Sequence, residues 1–221
     1  MPTHTPLTLA EELVLVALDD EHGTLLPTPT FALEHALAAS LIMELTLLGR
    51  LDSDATRLIV LSSVPTGNAN LDEALALISA DKEQRSTATW VARMASPDSQ
   101  LRGRIVKSLV DRGILSSVEK RLLWVFKRRV YPPTSGVEER EVKARIMTLL
   151  YNDDIPDARD SLLVGLLRAT GLFEHQLSTS EFHNLQPRID QIANFDETNR
   201  SLVQTVAEMQ ILLTASRIGM A

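Results

Sequence analysis

Apolar residues recur three and four positions apart through most of the chain, the spacing that places them on one face of a helix. Leu9, Leu13, Val16 and Ala17 follow it and predict a helix over residues 9–19. Thr8 and Glu11 read as a capping box at its start, the threonine oxygen taking a free helix amide while the glutamate reaches back. Asp19 to Gly23 breaks the helix, and Thr24 to Pro27 predicts a short extended piece. A second helix is predicted from Thr30 to Leu48, with Gly49 just past its end. The clearest strand is Arg57 to Leu61, paired with Gly49 to Ser53 across the turn at Asp52 to Asp54. Asn70, with Glu73 three residues on, predicts the cap of a third helix reaching Ala80. Further helices are predicted over residues 87–95, 99–112, 137–151, 157–170, 179–193 and 197–218. Ile114 to Tyr131 instead predicts a hairpin, rich in β-branched and aromatic residues and ended by Pro132 and Pro133.

No internal repeat and no low-complexity segment interrupts this order. Residues 1–221 are therefore expected to form a single compact helical domain of the mainly α class. It would have a helical bundle core surrounded by amphipathic helices, and short β-hairpins, one of them protruding. Composition agrees: 44% of residues are apolar but only 4% aromatic, so the core must be built from Leu, Ala, Val and Ile. Cysteine is absent, which excludes disulfides, thiol catalysis and cysteine-based zinc sites. The longest apolar stretch, Phe31 to Leu48, is interrupted by Glu34, His35 and Glu44. A membrane-spanning helix needs about 20 largely uncharged residues, so this one is expected to be a buried core helix. The N-terminus lacks a basic region followed by an apolar stretch, so no secretory signal is expected. The expectation is a cytoplasmic protein whose membrane association is peripheral.

Charge is where the chain departs from a plain helical domain. Nine basic residues lie between positions 102 and 129: Arg102, Arg104, Lys107, Arg112, Lys120, Arg121, Lys127, Arg128 and Arg129. Only Asp111 and Glu119 oppose them, so the segment carries 9 − 2 = +7 in a chain of net charge −7. The same segment holds the run Leu122, Leu123, Trp124, Val125 and Phe126, with Lys127 and Arg128 directly after it. Large apolar groups ringed by cations suit a phospholipid headgroup layer, apolar within and anionic outside. In an extended segment Leu122, Trp124 and Phe126 share one face, and Leu123 and Val125 the other. That pattern also suits an arm packed on the core or on a second copy of the chain, and both readings stay open. Arg102, Arg104, Lys107 and Arg112 do not form one stripe at about 100° per residue, so some must be ordinary solvated charges.

Nothing in the sequence marks an enzyme. His22, His35, His175 and His183 have no metal-ligand spacing, and no nucleophile elbow, Walker A or dinucleotide-binding string occurs. No catalytic residue, metal or cofactor is expected. Nucleic acid is the rival ligand for a basic patch with aromatics, but a sequence pI near 5.3 argues against it.

Five stretches, in order, resemble the Golgi phosphoprotein 3 family: LTLAEELVLVALDDEHGTLL (Leu7 to Leu26), LIMELTLLGRL (Leu41 to Leu51), PTGNANLDEAL (Pro65 to Leu75), LRGRIVKSLVDRGIL (Leu101 to Leu115) and PDARDSLLVGLLRATGLF (Pro156 to Phe173). The resemblance covers about the first 175 residues, and the Ala- and Leu-rich texture is that of a bacterial-type member. It implies a mostly helical fold, a protruding hairpin that dips into the bilayer, and recognition of phosphatidylinositol 4-phosphate. In eukaryotes it further implies the cytosolic face of the Golgi and an adaptor role toward the cytoplasmic tails of glycosyltransferases, its protein cargo.

The family's lipid pocket uses a Trp and an Arg near its second helix and two basic residues on the helix before the hairpin. Those positions fall here at Pro29, Ala38, Arg102 and Ser99, so only Arg102 matches. Phe31 is the expected stand-in for the Trp and Arg104 for the missing cation, with Lys107 nearby. The expected function is thus peripheral binding of anionic phospholipid. Arg102, Arg104, Lys107 and Phe31 would take the headgroup, and Leu122 to Arg128 would enter the membrane. The alternative is a non-enzymatic scaffold whose hairpin mediates self-association as a homo-oligomer.

Overall fold

The structure is a computed structural model that describes residues 5–19, 22–29, 31–54, 57–122 and 126–194, without the side chains of 120–122 and 126–128. Its described residues form nine α-helices and two small antiparallel hairpins, a mainly α fold. The centre is α1 (Leu9–Val16), in which every residue is buried, packed against α2 (Ala32–Leu47). A helix apolar nearly all round belongs inside a core rather than on its surface. Small side chains at Ala32, Ala36, Ala38, Ala39 and Ser40 let neighbouring helices approach α2 closely. Around this pair stand α3 (Ala69–Ala80), α4 (Thr87–Met94), α5 (Leu101–Asp111), α6 (Val137–Tyr151) and α7 (Ala158–Thr170). The short α8 (Phe173–Gln176) and α9 (Thr179–Ala193) close the bundle against α6 and α7. Strands β1 (Leu51–Ser53) and β2 (Leu58–Val60) form one hairpin, β3 (Val118–Leu122) and β4 (Phe126–Val130) the other.

Most element positions follow the sequence pattern, and the departures have local causes. The capping box of Thr8 and Glu11 is present. The first helix ends at Val16 rather than at residue 19, because Leu18 leaves it to bridge Leu25 and the Leu26 amide bonds the Ala17 carbonyl at 2.8 Å. The cap of α3 is Asn68, not Asn70: its side chain accepts from the Asn70 and Leu71 amides at 3.0 and 3.2 Å. Ser99 lies in a 3-10 turn (Pro97–Ser99) that precedes α5, so the helix starts two residues later than its pattern predicts. The helix α8 has no counterpart in the sequence reading. The helix expected over residues 197–218 lies outside the described residues.

Three carboxylates are buried around the first turn of α1, and each meets an arginine from a distant part of the chain. Glu11 accepts from Arg112 Nη1 at 2.7 Å and from Ser108 Oγ at 3.0 Å, both from the end of α5. Glu12 accepts from Arg145 Nη2 of α6 at 2.9 Å, and Arg159 of α7 stands 3.5 Å away. Glu44 of α2 accepts from Arg159 Nη1 at 2.7 Å and from the Leu9 amide, also at 2.7 Å. Arg145 also reaches Asp160 at 2.9 Å. Burial pushes the Glu12 carboxyl above its usual 4.5, and Arg159 and Arg145 offset this only in part. A raised folded-state pKa means that this group's stabilising contribution is complete below 4.5 and is lost as pH rises through the raised value.

Removing one partner from such a pair leaves a charge poorly solvated, which is more harmful than never having had the pair. Glu11→Ala also deletes the capping box. It is expected to lower the unfolding free energy by about 2–4 kcal/mol in urea denaturation at neutral pH. A loss below about 0.5 kcal/mol, the size of an ordinary surface change, would show that Arg112 is not anchored there.

Candidate functional site

The basic residues of α5 fan out because the helix buries Leu101, Ile105, Val106 and Leu109 and leaves the rest of its circumference open. Arg102 turns toward α2 and pairs with Glu34, Nη1 to Oε1 at 3.0 Å. Arg104 turns toward α3, pairing with Glu73 at 3.2 Å and bonding the Ser99 carbonyl. Lys107 pairs with Asp111 one turn along its own helix, at 2.5 Å. Arg112 points inward to Glu11. Of the four expected headgroup residues, the structure therefore brings Arg102 and Phe31 into one cleft. Arg104 lines a separate cavity of about 290 Å³, together with Glu73 and Trp90, and Lys107 lines neither.

The cleft that holds Arg102 has a volume of about 940 Å³. Its walls are the start of α2 with Phe31 and Glu34, the start of α5 with Gln100 and Arg102, and the end of β4 with Arg129 and Tyr131. The segment from Thr24 to Pro29 completes it. Phe31 is half-exposed, so its ring is available at the rim. Pro29 and Ser99 also line the cleft, whereas Ala38 is fully buried in α2 and contributes nothing to the cleft wall.

Backbone strain is concentrated at the same place. Among the described residues, the non-glycine positions with positive φ are Phe31, at 63°, and Gln100, at 50°. Each is the residue just before a helix, and neither side chain caps the helix it precedes. A left-handed conformation costs a residue with a side chain about 1–3 kcal/mol, and such positions gather at ligand clamps. Two helices thus begin beside the cleft, where the helix dipole favours an anion, with their first amides already taken, Ala32 by the Pro29 carbonyl at 2.9 Å and Leu101 by the Ser99 hydroxyl at 3.3 Å. The charged side chains along its lining, Arg102 and Arg129 against Glu34, sum to 2 − 1 = +1.

The base of the β3–β4 hairpin is fixed to this wall. Tyr131 donates its amide to the Gly23 carbonyl at 2.6 Å, and Ser116 bonds the Pro132 carbonyl at 2.9 Å. Gly23 has φ +64, and a Cβ there would lie 2.5 Å from the Pro132 nitrogen, so only glycine permits the approach. Val130 is buried in the protein while Arg129 faces the cleft, as strand alternation requires. Leu122 and Phe126 are directly paired. Leu123, Trp124 and Val125 lie outside the described residues, as do the side chains of Leu122, Phe126, Lys127 and Arg128. Arg129, Glu34, Gln100 and Tyr131 are cleft residues that sequence reasoning missed. Only Arg129 carried a signal, as one of the nine basic residues.

The chain belongs to the Golgi phosphoprotein 3 (GPP34) family, whose sequence profile matches residues 9–209. It is similar to vacuolar protein sorting-associated protein 74 of Eremothecium gossypii, 30% identical over 168 residues, which cover 65% of this chain and 49% of that protein. The protein of the same name from Schizosaccharomyces pombe is 27% identical over 195 residues, 75% of this chain and 56% of its own length. The chain thus spans about half the length of these relatives. No helix among the described residues is long and apolar enough to cross a membrane.

Relief of the strain at Phe31 gives a direct check on the site. Phe31→Gly is expected to raise the unfolding free energy by about 0.5–1 kcal/mol in chemical denaturation, since glycine takes φ near 60° without steric cost. A loss of the same size would mean that ring packing, not the backbone, dominates at this position.

Proposed function

We propose that this protein associates peripherally with membranes by taking an anionic phospholipid headgroup into the cleft between α2, α5 and β4. One observation carries the reading. The two strained residues Phe31 and Gln100, each before a helix that its side chain leaves uncapped, meet in the cleft that also holds Arg102 and Arg129. Strained residues of this kind gather at ligand clamps, and two helix starts beside two arginines favour an anion. Phosphatidylinositol 4-phosphate is the headgroup that the family resemblance implies. Its phosphate monoester would accept charge-assisted hydrogen bonds from Arg102 and Arg129.

The hairpin rising from the cleft wall is the second contact. Leu122 to Phe126 would enter the interfacial region, and Lys127 and Arg128 would meet anionic headgroups at about 1 kcal/mol each. Arg104 and Lys107, directed away from the cleft, would add long-range attraction rather than headgroup contacts. One hydrophobic cluster runs from Leu9 to Ala193, which supports a single domain acting as a unit. In a eukaryotic cell this would be an adaptor on the cytosolic face of the Golgi, holding protein cargo tails. The reading assigns no residue a catalytic role.

Flotation with phosphatidylcholine vesicles containing phosphatidylinositol 4-phosphate tests the reading. Arg102→Ala is expected to weaken binding about ten-fold, the size of a lost charge-assisted hydrogen bond. Arg104→Ala and Lys107→Ala are expected to change it by less than about three-fold, an exposed-charge effect that fades with added salt. Equal effects of all three, or none from Arg102→Ala, would contradict a site built around the cleft.

A further inference from the structure

The carboxylate of Glu34 stands where an anion site would be expected to exclude one. It is 3.0 Å from Arg102, and it is the deeper partner: its side chain is 27% exposed against 50% for the arginine. Its place in the first turn of α2 suits the helix dipole, but that alone does not require it to line the cleft beside Arg102. Cations and amides would suffice for a bare, fully ionised phosphate. Here two arginines and one glutamate share the lining with neutral hydrogen-bonding groups, among them Thr24, Thr28, Gln100 and Tyr131.

That mixture has a chemical complement. An arginine beside a carboxylate offers a fork of donors next to a strong acceptor. Its match is a ligand in which a phosphate sits beside hydroxyl groups, that is, a phosphorylated polyol. The phosphate takes the free edge of the guanidinium, and neighbouring hydroxyls donate to Glu34. The half-exposed Phe31 ring supplies an apolar platform for the C–H face of a polyol ring. A fully ionised phosphate with no neighbouring hydroxyls offers Glu34 no donor and suffers its repulsion. Sites built to hydrogen-bond a hydroxyl reject analogues lacking it far more strongly than apolar pockets reject a missing methylene.

We propose that Glu34 is the specificity-determining residue of the cleft, selecting lipid headgroups that carry hydroxyl donors beside the phosphate over phosphate alone. The proposal rests on the headgroup reading given above and adds to it a residue and a chemical preference.

The test compares wild type with Glu34→Gln, an isosteric change, on phosphatidylcholine vesicles carrying either phosphatidylinositol 4-phosphate or phosphatidic acid. An unchanged melting temperature certifies the fold of the variant. The preference for the polyol lipid over phosphatidic acid is expected to fall about ten-fold, the worth of a hydroxyl-to-carboxylate bond. Simple relief of repulsion predicts the opposite, because the more highly charged polyol lipid would gain most. A preference that is unchanged or increased in the variant overturns the role of Glu34, while a loss on Arg102→Ala would still uphold the headgroup site. Failure of the wild type to bind either vesicle overturns both. Free inositol phosphate separates lipid from soluble ligand: it should bind far more weakly than the vesicles, and equal affinity would contradict a membrane ligand.

Discussion

Three carboxylates buried around one turn of α1 hold the bundle in register. Glu11, Glu12 and Glu44 would each be costly in a dry core, and each is matched by an arginine brought from α5, α6 or α7. Such pairs add little net stability over an apolar core, but they make misalignment expensive. Their geometry also positions the cleft. The end of α5 is tied to α1 through Arg112, and the last turns of α2 are tied to α1 and α7 through Glu44. With those ends fixed in one place, the opposite ends, at Phe31 and Gln100, meet at another.

The cleft inherits its properties from that arrangement. It opens where two helices begin, so it has helix dipoles in place of a dense cluster of basic side chains. Its net charge is small, and its strain is stored in two backbone residues rather than in crowded cations. This is a different solution from the Trp-and-Arg pocket that the family resemblance implies. Pro29 and the buried Ala38 occupy two of those positions, while Phe31, Gln100 and Arg129 furnish the lining instead. If the cleft takes the proposed headgroup, its strained backbone sets folding stability against ligand readiness.

Local features of the fold were legible in the sequence because their causes are local. The Thr8–Glu11 box and the helical spacing of Leu9, Leu13 and Val16 depend on residues within a few positions of one another. The hairpin was visible for the same reason. What the sequence did not disclose depends on contacts across the chain. Arg102 and Arg104 are two residues apart yet serve different cavities, because α2 lies on one side of α5 and α3 on the other. The left-handed turn at Phe31 has no sequence mark, since a phenylalanine is among the last residues expected there. Glu34 read as an interruption of an apolar helix, and only the packing of α5 against α2 makes it part of a site.

The central claim is that the cleft end of α2 faces the bilayer. That helix has 16 residues, about 24 Å, and the loop at Val64 lies beyond its far end, held by Arg50. Because the chain lacks cysteine, a single cysteine at position 28 or 64 can be labelled cleanly with a fluorophore. Collisional quenching by brominated anionic vesicles then reports which end approaches the lipid. Strong quenching at position 28 with none at position 64 is the expected result. Equal quenching at both, or stronger quenching at position 64, would contradict the membrane-facing cleft.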